Sequence, residues 1–240
     1  LIVWTGSTFA LRLLVLCIAP VAPRTDERGR RFLLRLWARG AAAIIGMRIA
    51  ISGSPPKPPY FLVTNHLSYL DIILLARTAG CVYVSRADVR GLPILGWVAW
   101  GMNTIFIDRT KVRDTRRVNE HIDTAMNRGY GVHVFAESRI SQDAQVHPFK
   151  PALLEPAVQR GCPVHYAALS YHTPEDAPRA KDVIVWKEPE TLVQNMVRVL
   201  SLPSSTGIIA FGDAPISGND RKDLADKLYR AVLERFTPVD

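Results

Sequence analysis

The chain has 240 residues, 48% hydrophobic and 22% charged, which suits one sizeable α/β core and excludes a disordered protein. Thirty basic against 22 acidic residues give a formal charge of +8, so an anionic partner is expected. The absence of any helix-turn-helix, zinc-finger or RRM pattern argues against nucleic acid. Cys17, Cys81 and Cys162, odd in number and widely spaced, read as small core residues and not as a disulfide frame or metal site.

Residues 1–19 are mostly apolar, carry Arg12 as their one charge, and are expected to be helical. About 20 such residues just span a bilayer, but Arg12 near the middle and Pro20 at the end make one-leaflet insertion an equal alternative. No clean small-residue cleavage site marks a secretory signal. A second helix, centred on 32–45, follows a basic turn, and Arg24, Arg28, Arg30, Arg31, Arg35 and Arg39 cluster here. Basic residues beside an apolar segment bind anionic headgroups and stay on the cytoplasmic side of a membrane; alternatively they only solubilise an amphipathic helix. Residues 1–52 are therefore read as a two-helix membrane-docking element. The stretch 52–59, with four prolines and a glycine, links it to a domain over 60–240.

In that domain strand-like runs fall at 60–64, 81–85, 104–107, 131–135, 164–170, 183–186 and 207–211. Helical spacing is clearest at 112–128, where Val112, Val118, Ile122, Ala125 and Met126 recur before Gly129, and at 148–160 and 220–235. The alternation predicts an α/β fold: a mixed, mainly parallel central sheet flanked by helices.

The strand exits carry the chemistry. Asn65-His66-Leu67-Ser68-Tyr69-Leu70-Asp71 leaves the first strand of the domain and enters a helix near Asp71. A carboxylate one turn on can take the imidazole N–H, fixing the tautomer so that the other nitrogen acts as general base. The bland alternative is a helix-entry histidine and a solvated first-turn acid. Arg86 and Arg109, ending strands and opening helices, are placed to clamp an oxyanion such as phosphate, although Arg86 reads equally as a surface arginine. Glu137 follows another strand. His121 reads as a surface residue and His133 as half-buried, while His147, His165 and His172 have no metal-ligand spacing. Trp4, Trp37, Trp97 and Trp100 divide between core and bilayer interface.

This order resembles the lysophospholipid acyltransferase family, the glycerolipid acyltransferases that include 1-acylglycerol-3-phosphate acyltransferase. Asn65, His66 and Asp71 match its N-H-x4-D block, and Phe106-Ile107-Asp108-Arg109 its strand-then-Arg block. Phe135, Glu137 and Ser141 match part of F-P-E-G-T-R-S, while Cys162-Pro163-Val164 matches the V-P-I/V block. Residues 148–157 resemble the helix that follows the third block in bacterial members. The resemblance covers about 60–211. It implies transfer of a fatty acyl group from acyl-CoA or acyl carrier protein to a lysophospholipid hydroxyl, with no cofactor beyond that co-substrate. His66 would be the general base and Asp71 its partner. Arg109, with Arg86 and Lys150, would grip the acceptor phosphate, and Ser138 and Arg139 would complete the substrate loop. Glu137 would accept a hydrogen bond from the glycerol or hold the cationic cluster.

The third block departs from the family at Ala136, Ser138, Arg139 and Ile140, which stand for Pro, Gly, Thr and Arg. A lost Gly alters the turn, and a lost Arg at 140 removes a phosphate contact that Arg139 could replace only by re-aiming. The leading acceptor is 1-acylglycerol-3-phosphate, with lyso-ornithine lipid as the alternative. A non-catalytic membrane-binding relative is a second class. A hydrolase would need Ser68 or Ser138 as nucleophile, and neither has the Gly-x-Ser-x-Gly elbow.

Overall fold

Five consecutive residues without exposure, Tyr60–Thr64, mark the middle of the sheet. A strand buried throughout needs cover on both faces, and the chain supplies it. In the computed structural model, which describes residues 1–18, 23–91, 95–108 and 112–240, the front comprises α1 (Ile2–Ile18), α2 (Pro23–Ile44) and β1 (Met47–Ser52). Then come β2 (Tyr60–Thr64), α3 (Asp71–Thr78), β3 (Val82–Arg86), α4 (Leu95–Gly101), β4 (Ile105–Ile107), α5 (Val112–Asn127) and β5 (Gly131–Phe135). The chain ends with α6 (Glu155–Arg160), β6 (Val164–His172), α7 (Ala180–Val183), α8 (Leu192–Leu200), β7 (Ser205–Phe211) and α9 (Arg221–Arg235).

The strands form one sheet in the order β1-β7-β6-β2-β5-β3-β4. Every neighbouring pair is parallel except β6 with β7. This is the mixed, mainly parallel sheet that the alternating pattern predicts. Alternate β2 side chains serve opposite layers: Tyr60 and Leu62 join the core under α2, α3, α7 and α8, while Phe61 and Val63 join that under α5 and α9.

Helix α2 lays Leu34, Ala38, Ala41, Ala42 and Ile45 into the first core, the spacing of one helical face. Helix α1 rests on α2. Trp4 Nε1 donates to the Trp37 carbonyl at 3.0 Å, and Trp37 Nε1 to Thr5 Oγ1 at 3.1 Å. Gly40 permits this approach, since a Cβ there would sit 2.2 Å from the Trp4 ring. Trp4 and Trp37 are thus packing residues, while Trp97 and Trp100 on α4 are exposed.

Two charges are removed from solvent. Arg12 has no exposure; it pairs with Asp26 of α2 and donates to the Gly101 carbonyl of α4 at 2.6 Å. Arg30 is also sealed, donating to the Cys81 and Gly80 carbonyls at 3.0 and 3.1 Å and pairing with Glu27. It therefore leaves the headgroup-facing cluster that the sequence suggests; Arg28, Arg35 and Arg39 stay exposed. Among the described residues no helix is long and apolar enough to cross a membrane. Ile2, Val3, Leu14 and Phe32 nevertheless turn outward.

Four expectations change. The run 183–186 is not a strand: Val183 ends α7, and Ile184 and Val185 pack into the first core. A four-residue apolar run has no period long enough to separate a strand from a buried turn. The segment 47–52 adds a parallel edge strand beside β7. The expected helix at 148–160 shrinks to a 3-10 turn at Pro151–Leu153 and then α6, because Pro151 and Pro156 restrict the residues before them. Cys17 is exposed, whereas Cys81 is buried.

Candidate active site

Strands β2 and β5 are parallel neighbours, with Thr64 beside Phe135, so their exits lie side by side. Their connections leave in opposite directions, β2 through α3 to β3 and β5 through α6 to β6. Open α/β sheets bind ligands in such a crevice.

Asn65 clasps β6 at the start of the loop: Nδ2 donates to the Leu169 carbonyl at 2.9 Å, and Oδ1 accepts from Leu169 N–H at 2.7 Å. Asp71, fully buried at the first turn of α3, gathers the rest. Its Oδ2 accepts the N–H groups of Leu67 and Ser68 at 2.8 and 3.1 Å and lies 2.7 Å from His66 Nδ1. A carboxylate only accepts, so Nδ1 carries the proton and Nε2 keeps its lone pair. The other oxygen, Oδ1, accepts the Tyr171 hydroxyl at 2.6 Å. Phe135 stacks on the imidazole, with ring centres 3.6 Å apart and planes at 14°. The His66 side chain keeps 16% of its exposure while that of Asp71 has none. The imidazole faces outward and its partner is sealed.

Glu137, just beyond β5, accepts the His66 backbone N–H through Oε1 at 3.1 Å. Burial pushes its carboxyl up to about 8, outweighing the His66 and His147 backbone amides. It therefore holds its proton at neutral pH, and Oε2 has no hydrogen-bond partner among the described residues. No ion pair joins it to Lys150 among those residues. Ser138 takes a left-handed φ of 71°, so the turn keeps the shape glycine would give it. Ser141 closes the loop, its N–H donating to the His66 carbonyl at 2.8 Å.

The predicted cations that the structure describes are exposed. Arg86 is exposed and forks onto Asp88, with Nε 3.1 Å from Oδ1 and Nη2 2.7 Å from Oδ2. The side chains of Arg139 and Lys150 are exposed, although the Lys150 N–H donates to the Ala136 carbonyl at 2.8 Å. Arg109 lies outside the described residues. Ser68 is buried, its hydroxyl accepting the Leu70 N–H at 3.3 Å. His133, read as half-buried, is fully buried beside Thr64, and desolvation holds it down at about 3.

Structure thus unites His66, Asp71 and Glu137. Sequence reasoning missed Tyr171 and the stacking of Phe135 on the imidazole. Tyr171 lies 100 residues from Asp71, and no local spacing announces it. Phe135 was legible as a block match, but its ring contact depends on the β2–β5 register.

Residues 48–170 match the family model described as Acyltransferase. The chain is 29% identical over 204 residues to a lyso-ornithine lipid O-acyltransferase of Pseudomonas aeruginosa, covering 85% of this chain and 78% of that one. It is 26% identical over 196 residues to a 1-acyl-sn-glycerol-3-phosphate acyltransferase of Neisseria gonorrhoeae, covering 81% and 76%. The crystal structure of the 1-acyl-sn-glycerophosphate acyltransferase of Thermotoga maritima shares the fold, with a TM-score of 0.63 at 18% identity over 96% of this chain and 95% of that chain. With the family model matching half of its length, the chain belongs to the acyltransferase family and is an acyltransferase.

Proposed function

We propose that the chain transfers a fatty acyl group from a thioester, acyl-CoA or acyl carrier protein, to the free hydroxyl of a lysophospholipid. The 2.7 Å contact between His66 Nδ1 and buried Asp71 carries this reading. His66 Nε2 takes the hydroxyl proton as the oxygen attacks the thioester carbonyl, and Asp71 stabilises the resulting imidazolium. The tetrahedral intermediate expels the thiolate, which takes the proton from the imidazolium. No covalent enzyme intermediate forms and no cofactor takes part. Holding both lipids in one crevice lowers the entropic cost of their encounter.

The leading acceptor is 1-acylglycerol-3-phosphate, giving phosphatidic acid, with its phosphate held by Arg109, Arg86 and Lys150 and with Ser138 and Arg139 completing the substrate loop. Glu137 meets the acceptor's glycerol. A second acceptor, lyso-ornithine lipid, is favoured by Ile140 standing where the family pattern has Arg and by the Pseudomonas relative. The intact His66–Asp71 pair argues against a non-catalytic relative. The exposed apolar residues of α1 and α4, with exposed Arg28, Arg35 and Arg39 on α2, support docking on an anionic membrane, which we place at the cytoplasmic face.

The test is thiol release and product mass spectrometry with both donors and both acceptors. His66→Ala should lower turnover by about 100-fold or more; full turnover in that variant would sink the mechanism. Turnover of the ornithine acceptor alone would replace the phosphate assignment.

A further inference from the structure

At Asp71 one carboxylate oxygen takes its hydrogen bond from a distant strand. Tyr171 is fully buried on β6 and reaches Oδ1 with its hydroxyl at 2.6 Å. Two residues earlier on that strand, Leu169 offers the backbone pair that Asn65 clasps. A strand repeats its face every two residues, so β6 holds the motif at both ends, by backbone at Asn65 and by side chain at Asp71. We propose that Tyr171 is a positioning residue of the acyl-transfer reaction, which tunes the basicity of His66 through Asp71. The proposal rests on the reading of His66 as general base.

Asp71 Oδ2 is committed to His66 Nδ1 and two backbone amides, and only Oδ1 remains to be aimed. The tyrosine hydroxyl fixes the carboxylate's rotation about its Cβ–Cγ bond. It also draws negative charge toward Oδ1, away from the imidazole. Removing the hydroxyl leaves more charge facing Nδ1, stabilises the imidazolium, and raises the pH at which His66 becomes a free base. The other titratable groups facing this pair are Glu137 at the His66 amide, His133 behind Phe135, and Tyr69. Of these, Tyr69 also interacts with Tyr171, while Glu137 and His133 lie on the His66 side. A hydroxyl that only fills a buried valence would affect folding stability and leave the pH profile alone.

The experiment is the pH dependence of kcat/KM for the full chain with an acyl thioester and a lysolipid. Tyr171→Phe should lower kcat about tenfold, as expected for a lost hydrogen bond to a charged group, with KM within about twofold. The acid limb should move up by about half a unit. Site-specific 3-fluorotyrosine at 171, a stronger donor that preserves the ring, should move the limb down, and it supplies the answer should Tyr171→Phe fail to fold. A folded variant of either kind with the parent's acid limb overturns the proposal. His66→Ala is run alongside: if it stays active, the general-base reading itself fails, whereas its inactivity with an unmoved limb isolates the failure to Tyr171.

Discussion

At the scale of single residues, Glu137 links burial to pH. Its carboxyl keeps a proton up to about 8 in the folded chain, against an ordinary value of 4.5. Between those values the native state binds more protons than the unfolded one, so this group makes stability fall as pH rises. Glu137→Gln, which mimics the protonated form, should flatten the decline in thermal midpoint between about pH 4.5 and 8. An unchanged slope would show that Glu137 ionises normally. Ser138 gives a second prediction. A left-handed φ costs an L-residue about 1–2 kcal/mol, part of which glycine returns through its own freer unfolded state. Ser138→Gly should therefore raise stability by about 1 kcal/mol, read from urea unfolding. Conformational strain at this turn is legible only once φ is known; the residue letter alone suggests an altered turn.

Among the elements, what could be read beforehand follows from period and burial. The long α5 announces itself because its apolar positions recur over a sufficient length, and β2 and the helix beginning at Asp71 because they flank the motif at 65–71. Strand β1 and the turn at Ile184–Val185 do not, since short apolar runs take their conformation from what packs on them. For the site, the His66–Asp71 pair was readable because its partners are local. Tyr171 and the Glu137 contact to the His66 amide depend on strand order, which no residue pattern states. The same holds for Arg12, which looks like a charge caught in an apolar helix and is in fact a tie between α1, α2 and α4. Asp26→Ala would leave this guanidinium buried without its counter-charge, at a cost of about 3–5 kcal/mol. Replacing both partners by leucine should recover most of the loss in equilibrium unfolding. Equal losses in the single and double variants would mean that the pair itself carries the stability.

For the whole molecule, the outward apolar residues and the basic excess point the same way. Val3 and Leu14 are eleven residues apart, about three helical turns, and so share one face of α1. Val3→Asp with Leu14→Asp should reduce flotation with anionic vesicles by tenfold or more, since each buried aliphatic side chain is worth about 1.5–3 kcal/mol. Binding of the parent chain should also weaken as salt screens Arg28, Arg35 and Arg39. Flotation indifferent to both changes would refute docking through this surface.

The tie from Arg12 to the Gly101 carbonyl reaches beyond helix packing. Gly101 closes α4, the helix that feeds β4 at the sheet's edge. On the proposed docking, Arg12, together with the Trp4 and Trp37 contacts, links the position of α1 on lipid to the enzyme's body. The same tie would then hold the His66 crevice at a set elevation above the leaflet.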